Sequence, residues 1–404
     1  MALTINQEPQ EYSPVYNELT IRVESDQTAQ TNFRFKVEVN VYNGVGYDLV
    51  YTGYFLPRPN TIEAIIDVHR IVDYCRQTLI DDFISDNTGS IEHSTYDSQP
   101  YQVIITEQYG SPRVDYATTT ITKITWNASL KYQDFVGFDY QDYIPALNDT
   151  SKKWLSNAPL TQYIGSDESA QLSHFGGGDG LVRSAYEIEV KVYEEDGTLQ
   201  KTFTIEVADN VLMSSCLIGT RDLEETTFLT GTKPVFDTDS SYYTIQMLDE
   251  DLNPSMELRT YTIKDACGDP IRLHFLNRLG GIDSFTFGLK HKKTVNVDRM
   301  EINRQGWLYS TAITNLQKEK GFINANINSN ETIQLNCDWL KDADAVWLEE
   351  LMTSPEIFLE MNDRLHSVLI TNYSNYEIKT QNQDGVFNLT LDLKFAYSSS
   401  SQWA

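Results

Sequence analysis

The chain has 404 residues, with 31 basic and 58 acidic side chains and a formal net charge of −27. At about 150 residues per domain, that length predicts two or three domains. A pI near 4.5 excludes a chain-wide nucleic-acid or anionic-membrane binder, because such surfaces need excess Lys and Arg. The 24 tyrosines and 17 phenylalanines favour β-rich structure. No stretch approaches the roughly 18 apolar residues of a membrane span. The opening MALTINQEPQEYSP lacks the basic and apolar regions of a secretory signal, so synthesis in a reducing cytoplasm is expected. Cys75, Cys216, Cys267 and Cys337 form no CxxC pair, which leaves neither a disulfide framework nor a zinc spacing.

Residues 1–11 are polar and read as an N-terminal arm. Residues 12–132 read as a β-rich domain. Within it Phe33, Phe35, Val37, Val39 and Val41 alternate with polar residues, the mark of a half-buried antiparallel strand. Asn43-Gly44 punctuates this strand, and Tyr47 to Phe55 reads as the return. After Pro57 and Pro59 the period changes. Ile62, Ile65, Ile66, Val68, Ile71 and Val72 fit a helical stripe, so one or two short helices are expected near 61–84. Residues 101–107 and 118–130 are strand-like. Residues 133–183 change texture. They read as a Tyr/Gly-rich connecting excursion with little regular structure, ending in a glycine run at 176–180.

Residues 184–287 read as a sandwich-like domain. Tyr186, Ile188, Val190 and Val192 alternate, Asp196-Gly197 signals a hairpin, and strands are expected at 242–247, 257–263 and 271–276. Gly280-Gly281 requires a tight turn between two strands. Residues 288–404 read as an α+β domain in the order β-α-β-β-β. Ile333, Leu335 and Cys337 alternate as a strand. Leu340, Ala343, Trp347 and Leu351 then share one helix face, with Asp338 or Asp342 as cap and Ser354-Pro355 as stop. Strands follow at Ile357–Met361, Ser367–Thr371 and from Phe387 to Tyr397. The expected fold class is mainly β: antiparallel sandwich-type domains plus this α+β unit, one helix on a sheet.

Chemistry-bearing patterns are sparse. The six histidines show no HxH or HExxH spacing. His69 reads as a helix residue and His274 as a hydrogen-bonded sheet histidine. The glycine run lacks the Lys-Ser/Thr of a phosphate loop. Asp237 and Asp239 match the first spacing of a calcium loop, but Tyr242 and Leu248 stand where its glycine and glutamate belong. No catalytic residue, cofactor or metal site is therefore assigned, and no enzymatic activity is expected. The one stretch that reads as a contact segment is 132–143. It offers Tyr132, Phe135, Phe138, Tyr140 and Tyr143 as candidate subunit contacts, against the plainer reading of a loop packed on its own domain.

Two passages carry a resemblance. Tyr12 to Pro14 leads to Asn32–Phe35, then to Pro57–Pro59 and to Asp67–Val72; Leu276 to Phe287 forms the second passage. This pattern resembles structural neck, ring and tail proteins of crAss-like bacteriophages that infect Bacteroidetes. It covers a little over a quarter of the chain. The family pattern often places an aromatic after Gly-Gly, where this chain has Ile282. The resemblance implies a virion protein of β domains, with a C-terminal unit similar to phage tail-tube and adaptor units. It implies a cyclic ring of about 6 or 12 copies. The implied partners are other neck, portal or tail proteins, with passing DNA contacted weakly and no membrane insertion. Net charge −27 suits a channel wall that repels phosphates, and equally suits solubility. The competing expectation is a tail-tip or spike protein that binds a host surface glycan or protein.

Overall fold

The computed structural model describes residues 3–75, 92–93, 98–175, 187–207, 213–225, 236–265, 268–303, 322–338, 340–361, 364–371, 388–397 and 399–400. The chain is mainly β and divides into two compact units. One comprises residues 1–265 with 276–283, the other residues 266–275 with 284–404.

The first unit opens with two facing sheets. A three-stranded sheet runs Thr4–Gln7, Thr20–Glu24, Glu63–Asp67 in spatial order. A five-stranded sheet runs Tyr12–Pro14, Val114–Trp126, Ser98–Tyr109, Arg34–Tyr42, Tyr47–Phe55. Ile21, Val23, Ala64 and Ile66 from the first meet Phe35, Val37, Val39, Val103 and Ile105 from the second in one buried cluster. The period-two pattern explains this core, because alternate side chains of a strand reach the same face.

Two expectations change here. Thr4–Gln7 pairs antiparallel with Thr20–Glu24, so the polar arm is tied into a sheet. The stretch expected to be helical from Thr61 begins with the strand Glu63–Asp67, in which Ala64 and Ile66 point inward between exposed neighbours. The helix is His69–Cys75. Its start is fixed by Asp67, whose Oδ1 accepts from the backbone N–H of Leu19 and of His69. A five-residue run in which Ala64, Ile65 and Ile66 are the only apolar residues fits either period, and pairing with Thr20–Glu24 decides it. Residues 76–84 of that expectation lie outside the described residues.

A second layered core follows in the same unit. Its five-stranded sheet runs Thr161–Ile164, Arg259–Ile263, Tyr242–Leu248, Glu187–Tyr193, Leu199–Glu206. Gln171–Phe175 pairs with Met213–Leu217, and Leu172, Cys216 and Ile218 join Ile188, Val190, Tyr243 and Met247 in one cluster. The expected excursion at 133–183 is thus partly regular. It supplies two strands, and Trp154 and Leu155 are fully buried. The glycine run at 176–180 and Tyr186 lie outside the described residues.

In the second unit a large sheet runs Ile282–Phe287, Ile271–Leu276, Ile357–Met361, Arg364–Ile370, Thr390–Phe395, Phe322–Asn336, Lys292–Asn303. The expected single helix is two short ones, Asp342–Trp347 and Glu349–Thr353. Lys341 occupies the N-cap without a side-chain bond, and the capping expected of Asp342 does not occur. Leu340, Trp347 and Leu351 are buried as expected, whereas Ala343 is exposed and Ala345 and Leu348 take its place. Of the last strand, Leu389, Leu391 and Leu393 are buried and Tyr397 is exposed; Phe387 lies outside the described residues.

The turn Asn277–Gly281 shows why its residues are what they are. Asn277 Oδ1 accepts from the N–H of Leu279 and of Gly281, and its Nδ2 donates to the Leu155 carbonyl at 2.8 Å. Gly280 has φ +85°, and a Cβ there would lie 2.5 Å from the Asn127 carbonyl oxygen. By contrast, Gly44 has φ +92° with nothing within 4 Å. Gly280→Ala is expected to cost about 2–4 kcal/mol and Gly44→Ala about 1 kcal/mol, because only the first adds a collision to the backbone strain. Urea unfolding of both variants measures this; equal losses would contradict the close approach.

Candidate assembly surfaces

A sheet edge is a row of unpaired peptide groups, and exposed apolar side chains on such an edge need a partner. Two elements meet that description.

The first is the ribbon Lys292–Asn303/Phe322–Asn336. The strands pair antiparallel over twelve residues, with a bulge between Met300 and Glu301. The inner part of Phe322–Asn336 pairs with Thr390–Phe395 at 332–336 and with Ser399–Ser400 at 328–329. From 327 outward, among the described residues, its only partner is Lys292–Asn303. Every residue from Lys292 to Ile302 is exposed, on both faces. Register sorts the faces. Val295, Val297 and Arg299 share one with Ile327, Ser329 and Glu331; Thr294, Asn296 and Asp298 share the other with Asn328, Asn330 and Thr332. The ribbon therefore has an apolar side and an amide side. Val295 is 52% exposed and Met300 62%. A two-stranded ribbon with neither face covered is marginal in water.

Its charge is anomalous as well. Residues 290–320 contain seven Lys or Arg and three Asp or Glu, in a chain of net charge −27. Lys293 pairs with Glu331 across the ribbon at 2.5 Å. Sequence reasoning reads only its inner end, at Ile333 and Leu335, and passes over the rest, where the alternation is carried by Val and Ile against Asn with no run long enough to mark a core. The local reversal of charge is the signal that marks it.

The second element is Tyr47–Phe55, the terminal strand of its five-stranded sheet. Tyr47, Leu49, Val50, Tyr51 and Tyr54 are exposed. Its register against Arg34–Tyr42 passes from Val39↔Tyr51 to Asn40↔Leu49, so Val50 is the extra residue of a bulge. Arg34 lies 3.5 Å over the Tyr54 ring and donates to Gln108 Oε1 at 2.8 Å. Lys36 pairs with Glu38 at 2.8 Å, and that hydrogen bond holds its ammonium above the ordinary range. Burial, then the neighbouring Tyr42, raises the Tyr47 phenol. The only charge on the strand itself is Asp48.

The five sequence-derived contact candidates fall elsewhere. Tyr132 is exposed, whereas Phe135, Phe138, Tyr140 and Tyr143 are half-buried against a cluster around Trp126. The Phe138 ring is 5.8 Å from Trp126 and 5.6 Å from Tyr143, and Tyr140 is 5.2 Å from Tyr12. Gln10 Nε2 donates to the Phe138 carbonyl, and its Oε1 accepts from Tyr140 N–H. The same cluster contains Tyr12, Leu279 and Ile282, and Trp126 Nε1 donates to the Leu279 carbonyl at 2.8 Å. Two passages that carry the resemblance thus converge on one tryptophan.

Among the described residues of the second unit, one cross-strand row brings a serine, a histidine and a carboxylate together. Ser284 Oγ lies 2.9 Å from His274 Nδ1, and His274 Nε2 lies 3.1 Å from Glu360 Oε2. Arg272 donates to Thr286 Oγ1 at 2.6 Å. Serine, imidazole and carboxylate in series have the composition of a nucleophilic relay. Here they sit mid-strand on adjacent strands, and the row partners both nitrogens of a buried histidine, as the sequence reading of His274 expects. Among the described residues, no group of three or more His, Cys, Asp or Glu could hold a metal ion, and Asp237 instead pairs with Lys201 at 2.9 Å. No described helix is long and apolar enough to cross a membrane.

No protein-family model matches the chain, and no curated protein matches it. Among solved structures, the crystal structure of CBD12 from CALX1.2 is similar over 63% of this chain and 96% of that one, at 9% identity and a TM-score of 0.19. A likeness at that TM-score carries no argument about fold or function.

If the ribbon makes no packing contact within its own chain, Val297→Lys should leave the unfolding free energy within about 0.5 kcal/mol of the parent. Phe275→Ala, at a fully buried site, should cost about 3–5 kcal/mol. Urea titrations of the dissociated chain decide between them. A loss above about 1 kcal/mol for Val297→Lys would place the ribbon in its own core.

Proposed function

We propose that this chain is a non-enzymatic structural virion protein of a phage head-to-tail neck or tail, assembling with its own copies as a ring around the DNA channel. The observation that carries the reading is the ribbon strand Lys292–Asn303, exposed on both faces from Lys292 to Ile302 and paired on one side only among the described residues. A protein that works by assembly needs such surfaces; a self-sufficient monomer does better without them.

Three further features support it. The passages Tyr12–Pro14 and Leu276–Phe287 resemble neck, ring and tail proteins of crAss-like phages. The second unit carries two short helices, Asp342–Trp347 and Glu349–Thr353, between strands of one large sheet, an α+β arrangement that supports likening it to the small unit of tail-tube and adaptor proteins. Net charge −27 lets DNA slide past a wall that repels its phosphates. In this reading the protein is made in the host cytoplasm and resides in the virion, beside portal, neck or tail proteins.

The test is negative-stain electron microscopy with class averaging on the purified chain, alone and with a portal, checked by light-scattering mass. Closed rings of about 6 or 12 copies are expected. A trimer would overturn the reading in favour of a receptor-binding spike. A monomer that stays monomeric on the portal would overturn ring assembly altogether.

A further inference from the structure

We infer that the ribbon strand Lys292–Asn303 of one copy adds to the free edge strand Tyr47–Phe55 of the next, a head-to-tail contact that joins two different surfaces of the same chain. This rests on the assembly reading above and names the partner surface that the reading leaves open.

The ribbon sets the requirements for its occupant. Lys292–Asn303 is a terminal strand of its sheet, twelve residues long, and among the described residues nothing pairs along its outer side. An occupant must offer a long free edge, apolar side chains and no excess of positive charge. Among the described free edges of the first unit, Tyr47–Phe55 is the longest, at nine residues. The others are two to eight residues long. The eight-residue one, Leu199–Glu206, carries Lys201, a charge of the same sign as Lys292, Lys293 and Arg299 on the ribbon strand. Tyr47–Phe55 has no Lys, Arg or Pro. Its one protective device is the bulge at Val50, which leaves Tyr51 to Phe55 in regular register.

Charge selects the same pairing. Ribbon strand against ribbon strand would bring together two copies of a segment that carries Lys292, Lys293 and Arg299 against Asp298 and Glu301. Tyr47–Phe55 offers Asp48 as its only charge, so Lys292, Lys293 and Arg299 approach it without a like charge on the strand. Copies of a chain with net charge −27 repel one another elsewhere, and a locally basic arm relieves that repulsion at the contact. Side chains agree too: Val295 and Val297 are exposed on the ribbon, and Leu49, Tyr51 and Tyr54 on the strand. Strand addition of this kind takes affinity from main-chain hydrogen bonds and selectivity from alternate side chains. The two surfaces differ, so the contact is heterologous, and it closes into a ring when the rotation per copy divides the circle.

The test is complementation by mixing. A ribbon variant, Val295→Lys/Val297→Lys, and an edge variant, Tyr47→Lys/Leu49→Lys, alter only exposed side chains, and circular dichroism checks that both stay folded. Each alone should fall to monomer mass. Mixed one to one, they should form a dimer of twice that mass, because the intact ribbon of one meets the intact edge of the other. If the ribbon variant dissociates while the edge variant still forms rings, the ribbon has another acceptor and the inference fails, with ring assembly intact. If neither variant dissociates, the ribbon is no assembly element and the inference fails again. If the parent chain is itself a monomer on the portal, the assembly reading fails first. A cysteine pair, Val297→Cys on one copy and Leu49→Cys on another, gives a second readout: a disulfide-linked ladder for this pairing, and unlinked chains against it.

Discussion

An open β-sheet ends in strands whose outer peptide groups have no partner, and every sheet in this chain faces that constraint. Most edges are managed locally. Some are three to five residues long, and Tyr12–Pro14 ends in a proline. Leu199–Glu206 bears a lysine. Two edges are longer and carry exposed apolar side chains: Tyr47–Phe55, and the ribbon strand Lys292–Asn303, where Val295, Val297, Met300 and Ile302 stand among charged residues. They lie in different compact units, and they differ in the sign of their charge. The account of this protein as an assembling component follows from that pair.

Behind those edges the cores are conventional. Two layered clusters form around alternating strands, and a third gathers on Trp126. The third is where the tyrosine-rich segment, the opening strand Tyr12–Pro14 and the turn Asn277–Gly281 meet. Trp126 donates to the Leu279 carbonyl, Asn277 clamps its own turn, and Gly280 passes within van der Waals contact of the Asn127 carbonyl. The run LNRLGGID thereby acquires a physical meaning, since Asn277, Leu279, Gly280, Gly281 and Ile282 each answer a contact or a backbone angle. Burial in the same cluster ties Phe135, Phe138, Tyr140 and Tyr143 to their own unit, while Tyr132 stays exposed.

Period-two alternation was enough to read Arg34–Tyr42, Glu187–Tyr193 and the buried leucines 389–393, since one face of each is core. Asn43-Gly44, Asp196-Gly197 and Gly280-Gly281 marked three turns through positive φ at Gly44, Gly197 and Gly280. Glu63–Asp67 fits a helical stripe because Ile65 and Ile66, in so short a run, suit either period, and only its sheet partner decides. The packing of the 132–143 segment is set by contacts with residues more than a hundred positions away, such as Gln10, which no local pattern encodes. The ribbon was illegible for a different reason. Only its inner end, at Ile333 and Leu335, is buried; from Lys292 to Ile302 every residue is exposed, so hydrophobic patterning has no core to report there, and the charge reversal over 290–320 is the trace left in the sequence.

The central claim is that the two longer edges are covered by pairing between copies. Hydrogen–deuterium exchange measured across a concentration series reads this directly. The account predicts that backbone amides in Tyr47–Phe55 and Lys292–Asn303 exchange fast in dilute monomer and slow together as assembly proceeds, with the core strand Arg34–Tyr42 slow throughout. Protection of neither edge in the assembled state, or of one without the other, would contradict it.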